Sequence, residues 1–294
     1  MPNVEISSVA MLVSLRISKL GSSKVDKAQS AALTSSHSMS SDSAKVSKVL
    51  FTTRDLKPIN SVCNQAKQVR DKYSLPWNDQ GQRMLPCSVY REFNSEMIRL
   101  RNDFEVAVRE LSADYPRILE DAKIRLNGMF NPDDFPSSIE EKFSFDLDVV
   151  PMPKGDQLKI TTLSDEENLK MQEEVTRKTM EKMKSSATEV VSRVLDAIMV
   201  LLKGTDGKGG LTNPDARFHE SSITKLKEIV EIAPALNVLD NPDLHNMIDA
   251  IKQHIDIDAL DVKEVRDNPA VREKLTESSF NAVTAIQDAM GGIL

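Results

Sequence analysis

The sequence predicts a mostly α fold of the α+β class: long helices with one small antiparallel sheet of about three strands. Two observations predict it. Apolar residues recur at helical spacing over long stretches, as at Phe93, Met97, Leu100, Phe104, Val108 and Leu111. Only three short stretches alternate apolar and polar residues in the two-residue rhythm of a strand.

The first element is a strand over Ala10–Ser18, where Leu12, Val13, Leu15 and Ile17 alternate with polar neighbours after the opening positions. Serine dominates residues 22–47, which read as a flexible loop or a weak helical pair and as the region expected to move most. A helix is expected over Asp55–Tyr73, with Asp55 as N-cap, Pro58 in the first turn and Ile59, Val62, Ala66 and Val69 as its stripe. Pro76 ends it. Pro86 opens the Phe93–Leu111 helix, and Tyr115-Pro116 is expected to break it. A third helix carries Ile118 to Met129, with Gly128 as its C-cap glycine.

A turn at Asn131 then leads into a short helix, with Ser137 and Ser138 as caps and Glu140 and Glu141 in the first turn. Phe143, Phe145, Leu147 and Val149 alternate with Ser144, Asp146 and Asp148, the clearest strand of the chain. Pro153 and Gly155 punctuate a hairpin turn into a last strand, Leu158–Leu163. Ser164 and Glu167 form a capping box for a helix of nearly forty residues that runs to Lys203. Its first half is highly charged and expected at a surface; its second half, VVSRVLDAIMVLL, is apolar enough to be buried. Further helices are expected at Asp215–Ile232, Pro242–His254 and Pro269–Met290. The domain organisation that follows is 1–204, a 205–216 linker, and a C-terminal helical domain over 217–294.

The totals narrow the function. A chain of 294 residues with 28% charged residues is a globular protein that needs no disulfide or metal to hold a core. Aromatics make up 4% while methionines number 13, so the core should be aliphatic and Met-filled. The net charge of −7 argues against broad nucleic-acid binding. Residues 1–77 nevertheless carry more basic than acidic side chains, which suits packing on the acidic remainder or an acidic partner as well as plain solvation. Two cysteines, Cys63 on a polar helix edge and Cys87 at a helix start, form no disulfide framework and fit a reducing, cytoplasmic setting. The first residues lack a signal-peptide pattern, and no run approaches a membrane span.

No catalytic or cofactor motif emerges. The Gly204–Gly210 run lacks the GK[ST] ending and the preceding strand of a phosphate loop. His37, His219, His245 and His254 show no metal-ligand spacing, and Asp256, Asp258 and Asp261 lack the glycine and final glutamate of a calcium loop. No cofactor and no metal site are therefore expected. Trp77, in SLPWNDQGQRMLP, sits among turn residues with Leu75 and Leu85 at either end. It is read as a clasp buried between two helices, with an exposed anchor for a partner as the rival.

Five segments in order (LVSLRIS, SLPWNDQGQRMLP, MIRLRNDFEVAV, YPRILEDAKIRLNGMFNPDDFPSSIEEKFSFDLDVVPMP and IVEIAPALNVLDNPDL) resemble an uncharacterised family of tailed phages and some bacteria. It is catalogued as a domain of unknown function, and the Ser22–Ser47 stretch departs from its pattern. The resemblance carries over no catalytic residue. Through genomic neighbourhood it implies a MoxR-type AAA+ ATPase as partner and the host-cell cytoplasm as location. The expected function is that of a non-enzymatic interaction or assembly protein, self-associating or accessory to such an ATPase. The alternatives are an inhibitor of a host protein, including an acidic nucleic-acid decoy, and a metal-dependent enzyme without a recognisable motif. The residues expected to meet a partner are Trp77, Met171, Met180 and Met183.

Overall fold

The computed structural model describes residues 9–153, 160–203, 211–213 and 220–289. Its helices are α1 (Lys27–Ser36), α2 (Thr53–Tyr73), α3 (Tyr90–Leu126), α4 (Asp165–Lys203), α5 (Glu220–Leu236), α6 (Pro242–His254), α7 (Val262–Asp267) and α8 (Pro269–Ala289). The strands are β1 (Ala10–Ser18), β2 (Ser23–Asp26), β3 (Val46–Val49), β4 (Leu75–Pro76), β5 (Arg83–Pro86) and β6 (Ser144–Pro151). The fold is mostly α with some β, as the sequence predicts. One sheet has the order β4-β5-β1-β6, and β2 pairs with β3 in a second. The predicted strand at Leu158–Leu163 is not formed where it is described: Thr161–Leu163 is a turn and bend, and residues 158 and 159 lie outside the described residues. The Trp77 stretch supplies β4 and β5 instead, with β5 antiparallel to β1 from Ala10↔Pro86 to Val13↔Arg83.

Contacts divide the chain into two units. The first combines residues through Val13, Asp71–Arg91 and everything from Val149; the second holds Ser14–Arg70 and Glu92–Asp148. Helices on both sides of the 205–216 stretch belong to the first unit.

In the second unit α2 and α3 supply most of the core. A capping box starts α2 earlier than Asp55: Thr52 is the cap, and the Asp55 carboxylate accepts from the Thr52 N–H at 2.7 Å. The apolar stripe then buries Leu56, Ile59, Cys63 and Ala66. Cys63 is therefore a core residue, not one on a polar edge. Helix α3 runs unbroken for 37 residues through Pro116. Proline removes one backbone hydrogen bond. Leu111, Ile118 and Ala122 stay buried on either side, Arg117 pairs with Asp114 and Asp121, and the Tyr115 hydroxyl donates to the Pro136 carbonyl. Those contacts outweigh the missing bond. The left-handed residue after α3 is Asn127, at φ 43°, not Gly128; asparagine tolerates this conformation. The short helix after Asn131 is reduced to single turns of 3-10 helix, and neither Ser137 nor Ser138 caps Glu140–Lys142.

This unit holds seven of the chain's nine phenylalanines: Phe51, Phe93, Phe104, Phe135 and Phe145 are buried among its leucines, isoleucines and valines, and Phe130 and Phe143 are half-buried. Phe51 meets Phe135 edge-on at 5.9 Å, and Phe104 meets Phe145 at 5.7 Å. The expected aliphatic, methionine-bearing packing is found in both units: Met97 is buried with Leu100 and Ile59 in the second, and Met84, Met183 and Met247 among Val, Leu and Ile in the first. There α4 packs along α5, α6 along α8, and α7 against α8.

Candidate interaction surfaces

In the first unit, Asn78 builds the turn between β4 and β5: its side-chain oxygen accepts from the N–H groups of Gln80 and Gln82, both at 3.1 Å. Gly81 follows at φ +84°, a conformation that suits glycine. The turn drives Leu75 and Leu85 into the core and leaves Trp77 half-buried. Helix α4 fastens the loop from outside. The Lys182 ammonium donates to the Trp77 carbonyl at 2.8 Å and lies 5.6 Å from the centre of the indole ring. The Ser186 hydroxyl donates to the Pro76 carbonyl at 3.3 Å. The leucines thus form the clasp, while the indole stays accessible on one side.

The first half of α4 begins with the predicted capping box: the Ser164 hydroxyl and N–H donate to Glu167 at 2.7 and 2.9 Å, and together they hold the Glu167 carboxyl below its usual range. Buried Asn168 accepts from the Ile160 N–H and donates to the Ile160 and Leu163 carbonyls, so the preceding turn is tied to the helix. Glu166 pairs with Lys170, and Glu174 with Arg177 and Lys178. Opposite charges therefore interleave, and the front of α4 offers no unbroken acidic face. Leu169 is 55% exposed and Met180 37%. Eleven residues apart, they stand about three turns from each other on one line of the helix. Met171 is half-buried. Met183, at 1% exposure, points into the core and belongs to no surface; it lies in the buried stripe that runs from Thr179 through Ser186, Val190 and Val194.

A groove of about 1160 Å³ opens between α5, the end of α6, the loop 255–261 and α8. Val230, Ile255, Ile257 and Leu275 are buried and form its apolar wall. The loop is held by the Lys227 ammonium, which donates to the Leu260 carbonyl at 3.2 Å, and by Asp256, which accepts from the Ala259 N–H at 3.2 Å. Asp261 caps α7, accepting from the N–H groups of Lys263 and Glu264. Two residues of the acidic run, Asp256 and Asp261, are thus explained by a turn and a cap. Around the rim Glu231, Lys252, Asp258 and Lys274 are exposed, and none has an ionic or hydrogen-bonding partner among the described residues. His254 also lines the groove.

Among the described residues no three His, Cys, Asp or Glu side chains are grouped to hold a metal ion. His245 pairs with Asp240 at 2.8 Å, and His37 is the exposed C-cap of α1. His219 and the Gly204–Gly210 run lie outside the described residues. Cys87 is half-buried in a single 3-10 turn before α3. No described helix is long and apolar enough to cross a membrane. No family model, curated protein or solved structure matches the chain.

Proposed function

We propose that this chain is a non-enzymatic interaction or assembly protein that takes a segment of a polypeptide partner along the α5–α8 groove. The observation that carries this reading is the pairing of a buried apolar wall with unpaired rim charges of both signs. An amphipathic helix presents the same combination, an apolar stripe flanked by charges of either sign. A single anion or cation would favour a rim of one sign. The volume also exceeds the roughly 300–1,000 Å³ of small-molecule pockets. The Leu169–Met180 line and the accessible side of Trp77 provide a second contact surface in the same unit. Membership of the phage-type family, and with it an AAA+ ATPase as partner, is part of this proposal and rests on the sequence segments quoted above.

The test is affinity purification of the tagged chain from its producing cells, with Val271→Arg alongside to place a charge in the groove. A partner recovered in stoichiometric yield with the unmodified chain, and at least about ten-fold less with V271R at unchanged circular dichroism, supports the groove. An AAA+ ATPase in that position would define an accessory role; a second copy would define self-assembly. A partner retained equally by V271R but lost by Met180→Glu moves the contact to α4 and overturns the groove. Recovery of the monomer alone overturns the interaction reading.

A further inference from the structure

The serine-rich stretch folds into β2, α1 and β3, and it does so inside out. No apolar side chain between Ser23 and Val49 is buried; the buried residues are Ser30, Thr34 and Lys48. The register pairs Ser23 with Val49 and Val25 with Ser47, so these four share one face of the hairpin, and all four are exposed. The opposite face carries Lys24, Asp26, Lys48 and one half-buried apolar residue, Val46. There Lys24 reaches Asp134 at 2.7 Å, Lys48 lies against the same carboxylate, and Lys48 also stands 3.4 Å from Asp26 and donates to the Met129 carbonyl. The side chains of Lys48 and Asp134 are only 7% and 5% exposed. The base of the segment is pinned shut, because the Ser22 carbonyl accepts from the N–H groups of both Leu50 and Phe51. Arg125 adds hydrogen bonds to the carbonyls of Val49 and Leu50 at that same base.

We propose that residues 23–49 form a flap that opens as an independent unit about the Ser22/Leu50 base, held closed by one ionic latch, Lys24 and Lys48 on Asp134. Without a buried apolar side chain the flap gains little from hydrophobic burial. Its own hydrogen bonds are local: Ser30 donates to the Asp26 carbonyl and accepts from the Val46 N–H, and Thr34 donates to the Ser30 carbonyl. These bonds preserve the flap's shape but do not fix it to the rest of the second unit. Segments with few buried apolar contacts open at lower free energy than the core beside them. Breaking one partner of a buried ion pair leaves the other charge uncompensated, so the latch is the sensitive point.

The test is amide hydrogen exchange followed by mass spectrometry on the full chain, comparing the unmodified protein with Asp134→Asn and Lys24→Gln. In D134N, peptides within 23–49 should exchange about ten-fold faster or more, while those from Leu56–Ala66 and Phe93–Leu111 keep their protection. K24Q, which leaves the Lys48 contact in place, should fall between the two. Equal exchange of 23–49 in all three proteins overturns the latch. Acceleration of 23–49 together with α2 and α3 overturns the independent flap. If D134N fails to fold, K24Q decides alone: acceleration confined to 23–49 supports the proposal, and no change or a change throughout the unit overturns it.

Discussion

Asp134 shows how one carboxylate sets a pH window. Its hydrogen bonds from Lys24 and Lys48 hold it below the usual carboxylate range, and Asp134 in turn raises Lys48. The Asp134 contribution to stability is complete above the ordinary aspartate value of about 3.9 and is lost as pH falls through the lowered folded value. The Lys48 contribution is complete below about 10.4 and is lost only as pH rises through a still higher one. The difference in urea midpoint between the unmodified chain and Asp134→Asn should therefore be flat near neutrality and narrow at about pH 3; an unchanged gap would contradict the ionic assignment. Burial also pushes the Cys63 thiol up, which keeps it protonated and shielded, whereas Cys87 is partly open. Alkylation of the native protein should label Cys87 first and Cys63 only on unfolding, as peptide mass spectrometry would show. Sequence alone could not foresee Cys63, because its polar neighbours Asn64 and Gln65 mask the side of α2 that meets the core. It also placed the left-handed turn on Gly128, where asparagine one residue earlier takes the role.

Among the elements, α4 divides as its composition suggests. Its second half buries Val190, Val194, Ile198 and Leu201, while Leu169 in the first half stays exposed. Leu201→Ala should cost about 2–5 kcal/mol, whereas Leu169→Ala should lie within about 0.5 kcal/mol of the unmodified chain. Chemical denaturation of the two variants measures both; similar losses would mean that the front of α4 is packed. Most elements were legible because long periodic stretches and caps are strong signals: β1, α6 and the capping box of α4 lie where expected. The hairpin of β4 and β5 was not, since strands of two and four residues are too short to show alternation. The break expected at Pro116 rests on the proline alone, whereas the Tyr115 contact that helps α3 continue comes from Pro136, a separate segment.

For the whole molecule, sequence reasoning could find candidate contact residues one helix at a time, as with Met171, Met180 and Met183. It could not assemble the groove, whose wall joins Val230, Ile255, Ile257 and Leu275 from separate segments. The one local signal is the alternation of Ile255 and Ile257 with acids, and in the sequence the acids mask it. The same non-contiguity applies to the two units, since the chain enters the second at Ser14, leaves it after Arg70, returns at Glu92 and leaves again after Asp148. Synthesis on the ribosome therefore delivers them unequally. Every residue of the second unit has been made once Asp148 is added, while the first still awaits everything from Val149 onward. At about 5–20 residues per second that wait lasts on the order of ten seconds, during which β5 and the Ala10–Val13 part of β1 have been made but α4 to α8 of their unit have not.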